Sequence, residues 1–168
     1  NILGSGSWGD VYKAMKLGRN DLYAIKAIKK ETLAAGSIYL EYLTREIAAL
    51  RKVDHRFVIK LNSVYEDASA IYIVTELLPK GDLLTLVTEC KKIVDTDAAK
   101  YIRSLLVALE YLHANDLIHR DVKLENILIT TNDMDEPRVV LTDLGLTCFC
   151  GVDEGPLRDA VGSIVYIA

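Results

Sequence analysis

An α+β fold in two lobes is predicted for this 168-residue chain, with a small β-rich lobe first and a helical lobe after it. Three observations predict it. Apolar residues alternate at the period of a strand in four segments of the first half: Asp10–Met15, Leu22–Ile28, Val58–Val64 and Ile71–Glu76. One helix-period segment interrupts them between Leu33 and Arg51, where Leu43, Ile47 and Leu50 share a face. After Pro79-Lys80-Gly81 the pattern changes to a long helix, followed by short apolar runs and polar loops.

Taken in order, the glycine-rich stretch at the start leads into the first of these strands. Asp67–Ser69 turns the chain between the last two. The break at Pro79-Lys80-Gly81 reads as a hinge, which divides the chain into residues 1–76, a linker at 77–82, and 83–168. Thr96 and Asp97 can cap the long helix, and Ile102, Leu105, Leu106, Leu109 and Leu112 form its apolar stripe. A polar loop, His119 to Asn126, follows. Ile127–Ile129 and Val139–Leu141 are short apolar runs separated by a turn rich in Asn and Asp. From Asp143 onward the sequence reads as irregular.

Composition sets the function classes. Half the residues are hydrophobic (51%) and 26% are charged, which suits a packed domain rather than a disordered chain. A net charge of -4 argues against broad nucleic-acid binding, which calls for excess Lys and Arg. No apolar run approaches the roughly 20 residues of a membrane helix, so no membrane span is expected. No basic stretch followed by an apolar one opens the chain, so no signal peptide is expected either. Cys90, Cys148 and Cys150 make no disulfide framework and no zinc knuckle, and read as thiols of a reducing compartment. An intracellular protein, cytoplasmic or nuclear, is the expectation. The chain starts at Asn1 without Met and stops within a structured-looking segment, so it reads as a piece of a longer protein.

Chemistry concentrates in four places. Gly4-Ser5-Gly6-Ser7-Trp8-Gly9 can bring backbone N–H groups against phosphate oxygens because no Cβ intervenes. It can equally be a plain turn or a dinucleotide fingerprint. The strand-like alternation after Gly9 disfavours the latter, which opens a helix. In Ala24-Ile25-Lys26, period-2 geometry puts Ala24 and Lys26 on one face. An ordinary surface lysine is the competing reading. Glu46, bordering the apolar face of the first helix, needs a partner that Lys26 can supply, although a solvated position serves it as well. His119-Arg120-Asp121-Val122-Lys123-Leu124-Glu125-Asn126 gathers a base, cations and an amide just before a strand. Asp143-Leu144-Gly145 follows a strand in turn, and a carboxylate and an amide at two strand ends can chelate Mg²⁺ through oxygen.

Together, in this order, these motifs resemble the eukaryotic protein kinase superfamily over the whole chain, up to Val161-Gly162-Ser163-Ile164-Val165-Tyr166-Ile167-Ala168. The resemblance implies a bilobal protein kinase-like fold, cut before the Ala-Pro-Glu motif of the family. It implies ATP and Mg²⁺ as cofactors and protein substrates as partners. By that resemblance the backbone of Gly4, Ser5, Gly6, Ser7, Trp8 and Gly9 covers the ATP phosphates, and Leu3 belongs to the same nucleotide-binding set. Val11, Ala24 and Leu128 sandwich adenine, and Thr75 gates the pocket behind it. Glu76 and Leu78 offer backbone groups to adenine, and Asp82 meets ribose. Lys26 holds the α/β-phosphates and pairs with Glu46. Asp121 orients the attacking hydroxyl, Lys123 neutralises the moving phosphoryl, and Asn126 and Asp143 bind Mg²⁺.

Lys123 and Ser163 resemble the Ser/Thr branch, and Ile28–Leu33 and Ile71–Leu84 its calcium/calmodulin-dependent group. Leu50, Leu61, His119 and Leu144 match the family's stacked spine, which makes His119 structural. His55 is expected in a turn and His113 packed near a helix end. Asp159 stands where the family has a phosphorylated residue, as a built-in carboxylate for Arg120 or as a solvated loop residue. Cys150 is a candidate reactive thiol. The 168-residue piece alone is expected to be inactive or poorly folded. The alternative to a Ser/Thr kinase is a pseudokinase or allosteric binding module with the same fold.

Overall fold

The computed structural model describes residues 1–6, 9–33, 37–90, 93–130, 138–150 and 161–166. Ser7, Trp8 and Asp159, and most of the turn between Ile129 and Val139, lie outside these described residues. The architecture is α+β. Five antiparallel strands form the first layer, in the order β1-β2-β3-β5-β4: β1 (Ile2–Gly6), β2 (Gly9–Met15), β3 (Leu22–Lys29), β4 (Leu61–Glu66) and β5 (Ala70–Glu76). Gly6 faces Gly9 at the β1–β2 turn. Gly9 has φ of +127°, and a Cβ there would lie 2.2 Å from the Ala27 carbonyl oxygen of β3. Close approach between strands therefore demands glycine at this position.

Helix α1 (Ile38–Lys52) lies between β3 and β4 in sequence, and the Ser37 hydroxyl caps it by accepting from the Leu40 N–H. It buries Leu43, Glu46, Ala49 and Leu50, so a carboxylate takes an inward position among apolar neighbours. The strand expected over Val58–Val64 starts later, at Leu61. Val58 instead bridges Leu141, with Ile59 N–H donating to Leu141 C=O and Leu141 N–H to Phe57 C=O. This segment extends the small hairpin of β7 (Ile127–Ile129) and β8 (Val139–Leu141), and so ties the first lobe to the second.

The second lobe carries α2 (Leu83–Cys90), which the sequence reading did not identify, and α3 (Asp95–Ala114). Neither Thr96 nor Asp97 is the cap of α3. Val94 takes that position without a side-chain bond, and its carbonyl already accepts from Asp97 and Ala98. The buried stripe is also rotated from the expected one. Ser104, Ala108 and Leu112 face inward, Leu105 and Leu109 are half-buried, while Ile102 and Leu106 are 57% and 59% exposed. Ser104 and Ala108, both small, are on the buried face of α3, which packs on β8 and β6. His113 is exposed rather than packed. His55 stacks on Tyr111 at 4.6 Å, beside the bond from Asp54 N–H to the Tyr111 hydroxyl. The stretch after Asp143, expected to be irregular, contains β9 (Cys148–Phe149), paired with β6 (Leu117–Ile118). Leu50 and Leu144 belong to the core, with half-buried Leu61 packed against it.

Candidate active site

Strand β3 and helix α1 build the upper half of the site. Lys26 Nζ lies 2.7 Å from Glu46 Oε1 and 2.9 Å from Oε2, so both carboxylate oxygens accept from one ammonium. Burial pulls the Lys26 ammonium down, but the Glu46 and Asp143 carboxylates outweigh it and hold it above its ordinary value. Burial pushes the Glu46 carboxyl up against the pull of Lys26. The two-point contact makes this an ion pair.

The loop 119–126 builds the lower half. Asp121 is buried and all its partners are polar. Its Oδ1 accepts from the Ser163 hydroxyl at 2.7 Å, and its Oδ2 from Asn126 Nδ2 at 3.0 Å and Lys123 Nζ at 2.9 Å. Lys123 Nζ also reaches Ser163 Oγ at 2.7 Å. Burial pushes the Asp121 carboxyl up, yet its bonds to Lys123, Ser163 and Asn126 bring it below the ordinary carboxylate value. Burial pulls Lys123 down, and Asp121 more than restores it. Both groups are therefore charged at neutral pH. His119 is fully used by backbone: Nδ1 accepts from the Asp121 N–H and Nε2 donates to Thr142 C=O. Burial lowers its pKa, so the ring is neutral and structural.

The two halves meet at Asp143-Leu144-Gly145. Asp143 has φ of +60°, and its Oδ1 accepts from the Gly145 N–H at 3.3 Å. A Cβ on Gly145 would stand 3.1 Å from Asp143 Oδ1 and 3.6 Å from Glu46 Oε2. The missing side chain thus keeps a gap open between two carboxylates. The charge of Asp143 is felt by both Lys26 and Glu46. Lys26, Glu46, Asp121, Lys123, Asn126 and Asp143 therefore belong to one neighbourhood.

The remaining predicted residues lie on the strands and the linker around it. Val11 faces Lys26 across β2 and β3, and Ala24 faces Thr75 across β3 and β5. Leu128 bridges Asp82. Val11, Ala24, Thr75, Leu78 and Leu128 are all half-buried, while Leu3 and Gly4 are exposed on β1. Ser5 and Gly6 lie in β1 by their backbone. Glu76 Oε1 accepts from Lys60 N–H. Asp82 holds the start of α2, accepting from Thr85 N–H at 2.7 Å and the Thr85 hydroxyl at 3.0 Å. Sequence reasoning missed that task, although Asp three residues before Thr is a capping signal. It also missed Thr142. The Thr142 N–H and hydroxyl both donate to Asn126 C=O, and its own carbonyl accepts from His119.

The donor set suits a hard cation. Asn126 commits its amide nitrogen to the Asp121 carbonyl and carboxylate, which turns its oxygen into the acceptor for anything bound beside Asp143. No group of three or more His, Cys, Asp or Glu is arranged to hold a metal ion among the described residues. Two oxygen donors completed by phosphate and water are the usual arrangement for Mg²⁺.

A family model described as "Protein kinase domain" matches residues 1–168. "Serine/threonine-protein kinase 33" of Mus musculus is 33% identical over 99% of this chain and 35% of its own length. "Calcium-dependent protein kinase 5" of Plasmodium falciparum is 36% identical over 99% of this chain and 28% of its own length. "CBL-interacting protein kinase 30" of Oryza sativa is 33% identical over 99% of this chain and 34% of its own length. The chain thus spans about a third of the length of these curated relatives.

Proposed function

The chain belongs to the protein kinase family, and from that premise we propose that the protein is a Ser/Thr kinase acting on protein substrates. The observation that carries this is the Asp121 carboxylate, held ionised between Ser163, Asn126 and Lys123 in the same neighbourhood as Asp143 and Lys26. Mg²⁺-bound ATP supplies the phosphoryl group in this reading. Asn126 and Asp143 would hold the metal, and Lys26, fixed by Glu46, would hold phosphate oxygens. Val11, Ala24 and Leu128, with the backbone of Glu76 and Leu78, would hold the base. Asp121 accepts the hydrogen bond of an incoming Ser or Thr hydroxyl and aims its oxygen. Lys123 offsets negative charge beside that oxygen. Most of the acceleration comes from this positioning and charge, since the residues are already in place. The reading takes residues 1–76 as the lobe over ATP, 77–82 as the hinge and 83–168 as the start of the substrate lobe. An intracellular setting goes with it.

The test is transfer of labelled phosphate from Mg-ATP to a basic Ser/Thr peptide by the full-length protein, with phosphoamino-acid analysis of the product. Asp121→Asn keeps the shape and removes the charge. It is expected to lower kcat roughly 10²- to 10⁴-fold without loss of folding. ATP binding with no transfer above that variant would establish the pseudokinase reading instead.

A further inference from the structure

Strand β9 and the residue that follows it carry two cysteines, Cys148 and Cys150, that the site does not use. Cys148 Sγ and Cys150 Sγ lie 3.8 Å apart. Two residues apart on an extended segment, their side chains emerge on one face. Neither is disulfide-bonded. We propose that Cys148 and Cys150 form a reversible disulfide modification site, in which Cys150 is attacked by a hydroperoxide and Cys148 resolves the product. Exposure orders the roles, because Cys150 is half-buried whereas Cys148 is 8% exposed. In the first step the Cys150 thiolate takes the terminal oxygen of the peroxide, giving a sulfenic acid and releasing water or an alcohol. In the second, the Cys148 sulfur displaces that oxygen, an S–S bond forms, and water leaves. The two thiols lose two hydrogens and two electrons between them, and the peroxide accepts both electrons.

The position of the pair gives the bond a consequence. Extended chain separates alternate Cα atoms by about 6.6 Å. Disulfides favour a Cα separation of about 5.5–6 Å. The extended spacing is near the long end of the roughly 4.4–6.8 Å that disulfides accept, so closure is sterically open and draws the chain in at Phe149, the residue between them. Phe149 pairs with Leu117, and its ring lies 5.5 Å from Lys52 Nζ. Lys52 is the last residue of α1, the helix that carries Glu46, and also donates to Asn115 C=O at 2.6 Å. Cys150 N–H donates to Asp116 C=O at 2.8 Å. Drawing the chain in at Phe149 thus acts on the contact between β9 and the helix of the Lys26–Glu46 pair.

The experiment uses the full chain, exposed to hydrogen peroxide at low molar ratio, alkylated and cut with trypsin. Cleavage after Arg138 and Arg158 leaves both cysteines in one peptide. That peptide is expected to lose two hydrogens, to take up no alkyl group, and to recover both thiols after dithiothreitol. The Cys90 peptide is expected to remain alkylated. Cys150→Ala should abolish the two-hydrogen loss, Cys90→Ser should leave it intact, and Cys148→Ala should leave a sulfenic acid at Cys150 that dimedone traps. Circular dichroism of each variant checks folding, and the wild-type mass shift stands if the buried Cys148 variant fails to fold. Three outcomes would overturn the proposal: both thiols still alkylated when Cys90 has been oxidised, a cross-link to Cys90, or oxygen addition without the two-hydrogen loss. None of these readouts depends on phosphoryl transfer.

Discussion

The upper and lower halves of the site solve the same problem, a buried charge, in opposite ways. The upper half is one ion pair between two regular elements, with Lys26 on β3 and Glu46 on α1, twenty residues apart. The lower half is an irregular loop in which Asp121 has three side-chain partners, two of them within five residues. Regular secondary structure supplies stiffness along each element, and one ion pair joins the two charged side chains across them. The loop lacks regular backbone and is instead over-determined by short-range bonds. Removing one partner should therefore hurt the upper half more in stability and the lower half more in rate.

The largest expected effect in this contrast is on stability. Lys26→Met leaves Glu46 buried with no cation and is expected to destabilise the fold by about 3–5 kcal/mol in a urea titration. The double change with Glu46→Gln should recover much of that loss. An unaltered urea midpoint for Lys26→Met would break the contrast. Next comes Gly9→Ala, which sets a Cβ against the Ala27 carbonyl in a left-handed backbone, for about 1–3 kcal/mol of thermal stability. Gly4→Ala, where nothing lies within 4 Å, is the matched control and should hold within about 0.5 kcal/mol.

Smaller is Ser163→Ala. It removes one of three partners of Asp121, so about tenfold in kcat is expected, equivalent to about 1.4 kcal/mol, with the melting temperature nearly unmoved. A Ser163 variant that unfolds instead would show that the loop is not over-determined.

The smallest effect concerns pH. His119 has its folded pKa lowered by burial, so the unfolded chain binds a proton first as pH falls. Its stabilising contribution is complete above the ordinary His value near 6.5 and declines below it. His55 adds to the same slope. Urea midpoints should fall between about pH 7.5 and about pH 5.5, and His119→Gln should flatten part of that fall. Asp121 sits below the ordinary carboxylate value, so its contribution is present throughout that window and is lost only in stronger acid.

Period-2 and period-3.6 patterning located β2, β3, β5 and α1, and unbroken apolar runs located β7 and β8. Boundaries failed where backbone bonds crossed between elements. Val58 and Ile59 look like strand in composition, but they pair with Leu141 rather than with β5. The α3 stripe was misjudged because Ile102 and Leu106 are as apolar as Leu112, and only the packing of the helix against β8 and β6 decides which turn inward. The short β6–β9 ladder carries no periodic signal, since two residues a side are too few to show one.

The order of chemical groups along the chain was enough to determine the family and the charges available, and to set Glu46 at the border of an apolar helix face. These are local properties, set by side-chain type and spacing. Only the tertiary structure decided that Gly9 must be glycine, that Asp82 anchors α2, and that the Cys148 and Cys150 sulfurs lie together. Each of these depends on distances to atoms from another element or on a backbone angle, and neither is written in residue order.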